Sequence, residues 1–318
     1  ARAELLRPDG TLLFDELSWV ARRAADLPAG DLMAQEARAM GEALAARAAA
    51  APMPWYEGPV VFEGEAAADL FRYLLTDQLR GTPPEPSGDR EFGAAMQRGP
   101  RLGRRVLPEG WAVHDDPRDV PAGLPGGYRY DREGVAAQRV DLVEDGRVRD
   151  LVMSRVPRGD RGSNGHARGG VQGRWEGRLA HWTVSPRKLL SDAAFDRKLR
   201  AVQRAAGVDR VLVVRRLERG WEGDLPRPSH AVWRSADGSE QPVLALEFQS
   251  IDRRSLRDVV AASGNQVRAY LASRSGHGKA GGVSGMPVVL QAPSRVLVEE
   301  LEGAQPGAEQ EPPSYPAP

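Results

Sequence analysis

The sequence lacks cysteine altogether. The chain therefore cannot form a disulfide, supply a thiolate nucleophile or bind zinc through cysteine. It also lacks any uninterrupted apolar run close to the ~20 residues that a membrane-spanning helix needs, so no membrane span is predicted. Lysine is scarce, since the basic residues other than Lys188, Lys198 and Lys279 are all arginine.

Neither sign of charge is in excess, because 44 basic and 44 acidic side chains leave the chain formally neutral at pH 7. Proteins that bind nucleic acid usually carry surplus positive charge for the phosphates, so a nucleic-acid partner is disfavoured. Hydrophobic residues make up 41% of the chain, which is enough for a folded core. The length of 318 residues fits one large domain or two ordinary ones.

Residues 58–79 predict a buried strand that leads directly into a helix. The strand is the β-branched and aromatic run 59–62, and the apolar residues that follow have helical spacing. Gly64 and Glu65 lie between the two elements, where a carboxylate would face the positive end of the helix dipole. Taken locally, Glu65 is more simply a residue of the first turn than a functional group. The helical apolar residues are Ala67, Leu70, Phe71, Leu74 and Leu75.

Other turn and capping signals divide the rest of the chain. Asp-Gly pairs at 9–10 and 145–146 predict hairpins over 4–14 and 140–152. Helices are predicted from Asp31 as N-cap to about residue 50, from Ser191 as N-cap to Gly207, and over 253–262. Two polar, glycine-rich or proline-rich stretches, 80–103 and 155–177, read as long loops. Strands are predicted at 210–217, 288–290 and 295–301.

These elements predict an α+β fold. We expect the end of an N-terminal α/β layered region, followed by a β-rich antiparallel C-terminal domain with helices at its edge. The corresponding domains are 1–90 and 104–302, and the proline-rich residues 303–318 are expected to be a disordered tail. Exposed edge strands of such a domain would be natural pairing surfaces.

Common catalytic motifs are incomplete in this sequence. The segment 276–279 has too few residues between its glycines for a phosphate-binding loop, and Ala280 follows its lysine. Neither Ser163 nor Ser284 lies in a complete G-x-S-x-G turn. The five histidines are not paired at a helical metal spacing, although a site assembled in space from His114, Asp115, His166 and His181 stays open.

Several segments, in this order and spacing, resemble the TldD/PmbA family, also called modulators of DNA gyrase and classed with peptidase U62. They are the strand and helix at 58–79, the run 115–148, SNGHARGG at 163–170, AHWTV at 180–184 and VVLQAPSRVLVEEL at 288–301. The resemblance covers most of the chain. It implies a dimer, either of like subunits or of a TldD-type with a PmbA/TldE-type subunit, enclosing a chamber in which peptides are cleaved.

The resemblance also implies where the chemistry of the family resides. A TldD-type subunit carries zinc on an HExxxH helix with a distant cysteine, and the glutamate activates a zinc-bound water. Here Gly64 and Asp69 stand at the two histidine positions, and only Glu65 agrees. The chain therefore resembles the PmbA/TldE-type branch that lacks HExxxH, with Glu65 as a remnant of the catalytic set and with no metal or cofactor.

The SNGHARGG stretch is similar to a glycine-rich loop of the PmbA-type subunit. Ser163, Gly165 and His166 fall on that pattern, together with Ala167 and Gly169, whereas Asn164 and Arg168 depart from it. The resemblance makes Ser163, Gly165, His166 and His181 candidates for the wall of a substrate chamber. A loop imidazole that only anchors backbone is an equally good interpretation of His166.

The sequence thus predicts a non-catalytic, pseudo-enzyme subunit of a TldD/PmbA-type metalloprotease assembly that acts on peptides. One alternative is an active metallopeptidase that uses Glu65 with His114, Asp115, Asp116, His166 and His181. Another is a peptide-binding module without a protease partner. The chain begins at Ala1 in strand-like sequence, so we expect an upstream segment to be missing. A cytoplasmic location is favoured, with export as the alternative.

Overall fold

The structure is a computed structural model that describes residues 1–51, 55–82, 102–159, 161–169, 175–220, 222–249, 251, 254–272 and 285–306. Within these ranges it contains three α-helices and seventeen strands. None of the described helices is long and apolar enough to cross a membrane. The helices are α1 (Gly30–Ala48), α2 (Glu65–Leu79) and α3 (Asp192–Ala205).

The strands form two large sheets and two separate hairpins. Their bounds, in chain order, are β1 (Arg2–Leu6), β2 (Leu12–Glu16), β3 (Trp55–Glu63), β4 (Trp111–Asp115), β5 (Val140–Glu144), β6 (Arg147–Val148), β7 (Ala167–Gly169), β8 (Glu176–Gly177), β9 (His181–Pro186), β10 (Arg210–Leu217), β11 (Pro228–Ser235), β12 (Glu240–Pro242), β13 (Glu247–Gln249), β14 (Val259–Ser263), β15 (Gln266–Ala272), β16 (Met286–Ala292) and β17 (Arg295–Ala304).

The first sheet has the order β12-β11-β10-β3-β17-β13, with β14 also paired to β17, and the second has the order β15-β16-β9-β4-β5-β6. The remaining pairs are β1 with β2 and β7 with β8. Most pairs are antiparallel, but β3 runs parallel to β10 and β16 runs parallel to β9. The mixed sheets and their packed helices confirm the predicted α+β class.

Helix α2 lies between the two sheets. It contacts β10 of the first sheet and β16 of the second, and twelve of its fifteen residues are buried. An amphipathic helix with one core face was predicted, whereas the observed helix is enclosed on nearly every side. Three of the enclosed side chains, Asp69, Thr76 and Gln78, are polar and need partners inside the protein.

Helix α3 covers the opposite face of the first sheet. Phe195, Leu199 and Val202 pack on inward-facing strand residues such as Val61 and Val213. The side chain of Ser191 accepts a hydrogen bond from the backbone N–H of Ala194, which confirms the predicted N-cap. With helices on both faces, the central strand β3 is buried on both sides, which explains its continuous apolar run.

Two sequence predictions about local elements were wrong. Residues 253–262 were predicted as a helix, but the structure has a 3₁₀ turn at Ser255–Asp258 and then strand β14. Pairing of β14 with β17 overrides the local preference there. Helix α1 begins at Gly30 after Ala29, and Asp31 lies within its first turn rather than capping it.

The predicted domain division stays a prediction. Most of the loop 80–103 and the tail from 307 onward lie outside the described residues. Strand β3, which belongs to the first predicted domain, pairs with β10 and β17 of the second. Strand β17 continues through Ala304, so the first residues assigned to the tail are part of the sheet.

A buried arginine joins α1 to the first sheet. Nε of Arg47 donates to the carbonyl of Leu244 at 2.6 Å, and its Nη1 donates to the carbonyls of Ser229 at 2.9 Å and Phe14 at 3.3 Å. Burial lowers the pKa of Arg47. One side chain thus holds the β1–β2 hairpin, α1 and the sheet edge together, as charge-assisted bonds to carbonyls are comparatively strong.

We expect Arg47→Met to lower the free energy of unfolding by about 1.5–3 kcal/mol, the range for hydrogen bonds from a charged donor. Arg38→Met on the exposed face of the same helix is the matched control and should change it by less than about 0.5 kcal/mol. Urea unfolding monitored by circular dichroism measures both. Equal effects of the two changes would contradict this role of Arg47.

Candidate functional site

The junction between β3 and α2 is fixed by backbone geometry at Gly64. This residue is the N-cap of α2 and has φ +56° and ψ −123°, a conformation that side-chain-bearing residues rarely adopt. Its N–H donates to the carbonyl of Ser294 at 2.7 Å, and its carbonyl accepts a bond from Nε2 of Gln266 at 2.6 Å. A histidine at this position would strain the backbone, so the first HExxxH position favours glycine.

Glu65, the first residue of α2, is ion-paired with Arg268 on β15. Both side chains are partly buried, at 23% and 19% exposure. Burial lowers the pKa of Arg268, and the neighbouring carboxylate offsets the cost of enclosing its charge. The carboxylate of Glu65 is thereby committed to a guanidinium and is not a free base or a free metal ligand.

Asp69 lies one turn further along α2 and is only 5% exposed. Its Oδ1 is 3.4 Å from Nη1 of Arg72. Burial raises the pKa of Asp69, while Arg72 acts in the opposite direction. The guanidinium of Arg72 stacks on the rings of Tyr73 at 4.9 Å and Tyr270 at 4.4 Å. The second histidine position of HExxxH is thus a buried acid whose counter-ion is an arginine.

A row of residues paired across neighbouring strands connects Arg268, the partner of Glu65, with Asp115. Arg268 pairs in register with Leu290, Leu290 with Trp182, and Trp182 with Asp115. Neighbouring strands are about 4.8 Å apart, so Arg268 and Asp115 are separated by three spacings, or about 14 Å. The structure therefore does not bring Glu65 together with Asp115.

Asp115 at the end of β4 is completely buried and receives two backbone hydrogen bonds. The N–H of Ala180 donates to its Oδ2 at 2.7 Å, and the N–H of His181 donates to its Oδ1 at 3.2 Å. Nε2 of His166, also completely buried, lies 3.5 Å from Oδ1 of Asp115. Asp115 therefore connects β4, the start of β9 and the glycine-rich segment.

The glycine-rich segment is anchored by Asn164, one of the residues that depart from the family pattern. Its Nδ2 donates to the carbonyl of Leu151, and its Oδ1 accepts from the N–H of Met153, both at 2.8 Å. Nδ1 of His166 lies 3.0 Å from the carbonyl of Asn164. Because that carbonyl can only accept, Nδ1 must carry the hydrogen. His166 is thus anchored through Nδ1, while its Nε2 faces Asp115 without a hydrogen-bond partner among the described residues.

The remaining predicted site residues are distributed over other positions. Ser163 is half-buried, and its Oγ accepts from the N–H of Gly165 at 3.3 Å. His114 pairs with Thr183 in register and His181 lies beside Asp116, so these side chains share the sheet face opposite to Asp115. His181 is buried, and neither ring nitrogen has a hydrogen-bond partner among the described residues. Burial, and secondarily Arg139, lowers the pKa of His114.

The predicted unconventional ligands are thus separated into three places. Glu65 lies at α2, Asp115 and His166 on one face of the second sheet, and His114, Asp116 and His181 on the other. Within the described part of the chain, no group of three or more histidine, aspartate or glutamate side chains is arranged to hold a metal ion. The tetrad left open by the sequence is not assembled by these residues.

Sequence reasoning missed the arginines that organise these places. Arg72 had a usable signal, because it follows Asp69 at the i, i+3 spacing of helical ion pairs. Arg268 had none, since its partner Glu65 is distant in the chain. Arg168 donates to the carbonyls of Leu179 at 2.6 Å and Pro287 at 2.7 Å, linking the glycine-rich segment to the sheet.

Comparison with known proteins identifies a sequence relationship. The family described as "PmbA/TldA metallopeptidase C-terminal domain" matches residues 56–302. No curated protein sequence matches the chain. The matched region begins in β3 and ends in β17, so it includes both sheets and α2 and α3.

Solved structures share the fold at low sequence identity. TldE from Thermococcus kodakarensis has 17% identity and a TM-score of 0.58, with 94% of this chain and 60% of that one covered. A proposed modulator of DNA gyrase from Thermotoga maritima has 18% identity and a TM-score of 0.55, with 83% of this chain and 53% of that one covered. Another proposed modulator of DNA gyrase, from Bacteroides thetaiotaomicron, has 11% identity and a TM-score of 0.57, with 96% of this chain and 59% of that one covered. The chain therefore spans 60% or less of the length of these relatives.

The glycine-rich segment offers a sharp test of its structural role. Gly165 has φ +77°, and a Cβ there would lie 2.2 Å from the carbonyl oxygen of Ala136. We expect Gly165→Ala to lower the free energy of unfolding by about 2–5 kcal/mol, through backbone strain and overpacking together.

Gly162→Ala is the matched control, because a Cβ at Gly162 meets nothing within 4 Å. It should change the free energy of unfolding by less than about 0.5 kcal/mol. Thermal and urea unfolding of both variants measure the difference. A Gly165→Ala variant as stable as Gly162→Ala would show that the segment is not packed as described.

Proposed function

Because this chain belongs to the PmbA/TldD metallopeptidase family, we propose that it is a non-catalytic subunit of a peptide-cleaving assembly of that type. The single observation that carries the proposal is the pairing of both carboxylates in the stretch that matches HExxxH with arginines. Glu65 pairs with Arg268 and Asp69 with Arg72. At the position where a metallopeptidase subunit needs metal ligands, this chain has ion pairs.

The residues at α2 do not fit zinc. Protein zinc sites use three or four nitrogen, sulfur or oxygen ligands at about 2.0–2.3 Å. Gly64 offers no side-chain donor, and Asp69 and Glu65 each have a guanidinium as counter-ion. A cation added here would have to displace an arginine from an enclosed carboxylate. We therefore derive no catalytic step for this subunit.

The proposed role is to shape the chamber in which a partner subunit cleaves peptides. In that role the chamber wall is supported by Ser163, Gly165, His166 and His181. Because His166 and His181 are buried, they support it from the protein interior and do not face the chamber. Strand β15 is an outer strand of the second sheet as described. Its outer edge, which is unpaired among the residues that the structure describes and lies next to the Glu65–Arg268 pair, suits an extended peptide that adds as a further strand.

The proposal is tested by mixing the chain with a TldD-type subunit that has an intact HExxxH motif. Cleavage of an unstructured peptide is measured for each protein alone and for the mixture. We expect no cleavage by this chain alone. Changing the HExxxH glutamate of the partner to glutamine should lower the rate of the mixture by about 10²–10⁴, the usual contribution of a general base.

Glu65→Gln in this chain is the matched variant. It leaves Arg268 without its counter-ion and should lower the free energy of unfolding, but, where thermal unfolding shows that it is folded, it should leave cleavage by the mixture at its original rate. Cleavage by this chain alone that Glu65→Gln abolishes would overturn the proposal and favour an active metallopeptidase. Failure of the two proteins to associate in size-exclusion chromatography would instead favour a peptide-binding module without a protease partner.

A further inference from the structure

The outer face of α3 carries four exposed cations. Arg197, Lys198, Arg200 and Arg204 are all exposed, and none has an ion-pair partner among the residues that the structure describes. Their helix packs on the first sheet through its other face, so the cations point away from the core. We call these four residues the basic face of α3.

The acidic residues of α3 do not neutralise this face. Asp196 accepts a bond from Nη2 of Arg295 at 2.7 Å, and Asp192 lies 3.5 Å from Nη1 of the same arginine. Arg295 itself stacks on Phe195 at 4.3 Å. Both aspartates are thus engaged on the side of the helix that meets β17, and the charge of the outer side stays uncompensated.

The surplus of positive charge is a local property of the part of the chain around α3. Residues 187–210 hold seven basic and three acidic side chains, whereas the whole chain is balanced at 44 of each. Two of the three lysines, Lys188 and Lys198, fall in this segment. A like-signed cluster on a neutral protein produces a local positive potential that attracts an oppositely charged partner.

The basic face is long enough to contact a short segment of another polypeptide. Arg197, Arg200 and Arg204 follow the i, i+3, i+7 spacing of one helical stripe, which is about 10 Å long at 1.5 Å per residue. Arg200 also borders a surface cleft of about 270 Å³ between α3 and the ends of β11 and β17. Arg234, which lines the same cleft, is already paired with Glu63 and Glu240. Arg200 is therefore a free cation at the cleft for an incoming carboxylate.

We propose that the basic face of α3 docks an acidic segment of a partner protein. The assignment goes beyond the proposed function and does not depend on it. Charge complementarity selects carboxylate-rich protein rather than nucleic acid, because nucleic-acid binding depends on neutralising many phosphates, and the basic face offers four cations on a neutral chain. Exposed arginines steer and orient such a partner through paired contacts with carboxylates.

The test uses fluorescence anisotropy with a labelled polyglutamate peptide as probe and the complete chain as receptor. The double variant Arg197→Glu/Arg200→Glu should weaken binding by about tenfold, the size expected when several exposed ion pairs become repulsive. The matched control is Arg139→Glu/Arg149→Glu. Those arginines are also exposed but are already paired, with Asp141 and Glu144. Both double variants change the net charge by the same amount.

Four outcomes decide the proposal. Weakening confined to the α3 variant, with unchanged thermal unfolding of both variants, supports it. Equal weakening in both variants would mean that only net charge matters, and it would overturn the proposal. Absence of saturable peptide binding to the unmodified chain would also overturn it. Tighter binding of single-stranded DNA of matched charge would assign the face to nucleic acid instead.

Discussion

Glu65 and Asp69 lie on a helix packed between two sheets, where a charged carboxylate is costly without a nearby cation, and the rest of the site depends on which cation is present. An uncompensated carboxylate is costly to remove from water. In a zinc-dependent relative of the TldD type the balancing charge would be a metal held by histidines. In this chain it is supplied by Arg72 for Asp69 and by Arg268 for Glu65.

Arginine counter-ions give this helix a different chemistry from that of a metal ion. Zinc leaves an open position for water and lowers the pKa of that water, whereas a guanidinium offers only hydrogen-bond donors. Arg268 is also part of β15, so its pair with Glu65 connects α2 to the outer strand of the second sheet. Glu65, which matches the glutamate of HExxxH in position, here helps to hold two structural layers in place.

The sequence was most informative where structure depends on neighbours in the chain. The strand and helix at 58–79, the hairpin turn at Asp145 and Gly146 and the Ser191 cap all follow from local spacing and turn chemistry. It was least informative where distant segments meet. The complete burial of α2 requires both sheets, β14 forms because β17 pairs with it, and the Glu65–Arg268 pair joins residues far apart in sequence. From the sequence, Gly64 indicated only that a metal ligand is missing at the first HExxxH position. Its positive φ is a feature of the three-dimensional structure.

The most direct measurement is a calorimetric titration of the complete, unmodified chain and its Glu65→Gln variant with zinc chloride. If arginines already balance the α2 carboxylates, the two proteins give the same heats and neither shows one-to-one zinc binding at this helix. Saturable one-to-one binding by the unmodified chain that is lost in Glu65→Gln would contradict the account, because it would show that the carboxylate holds a metal ion.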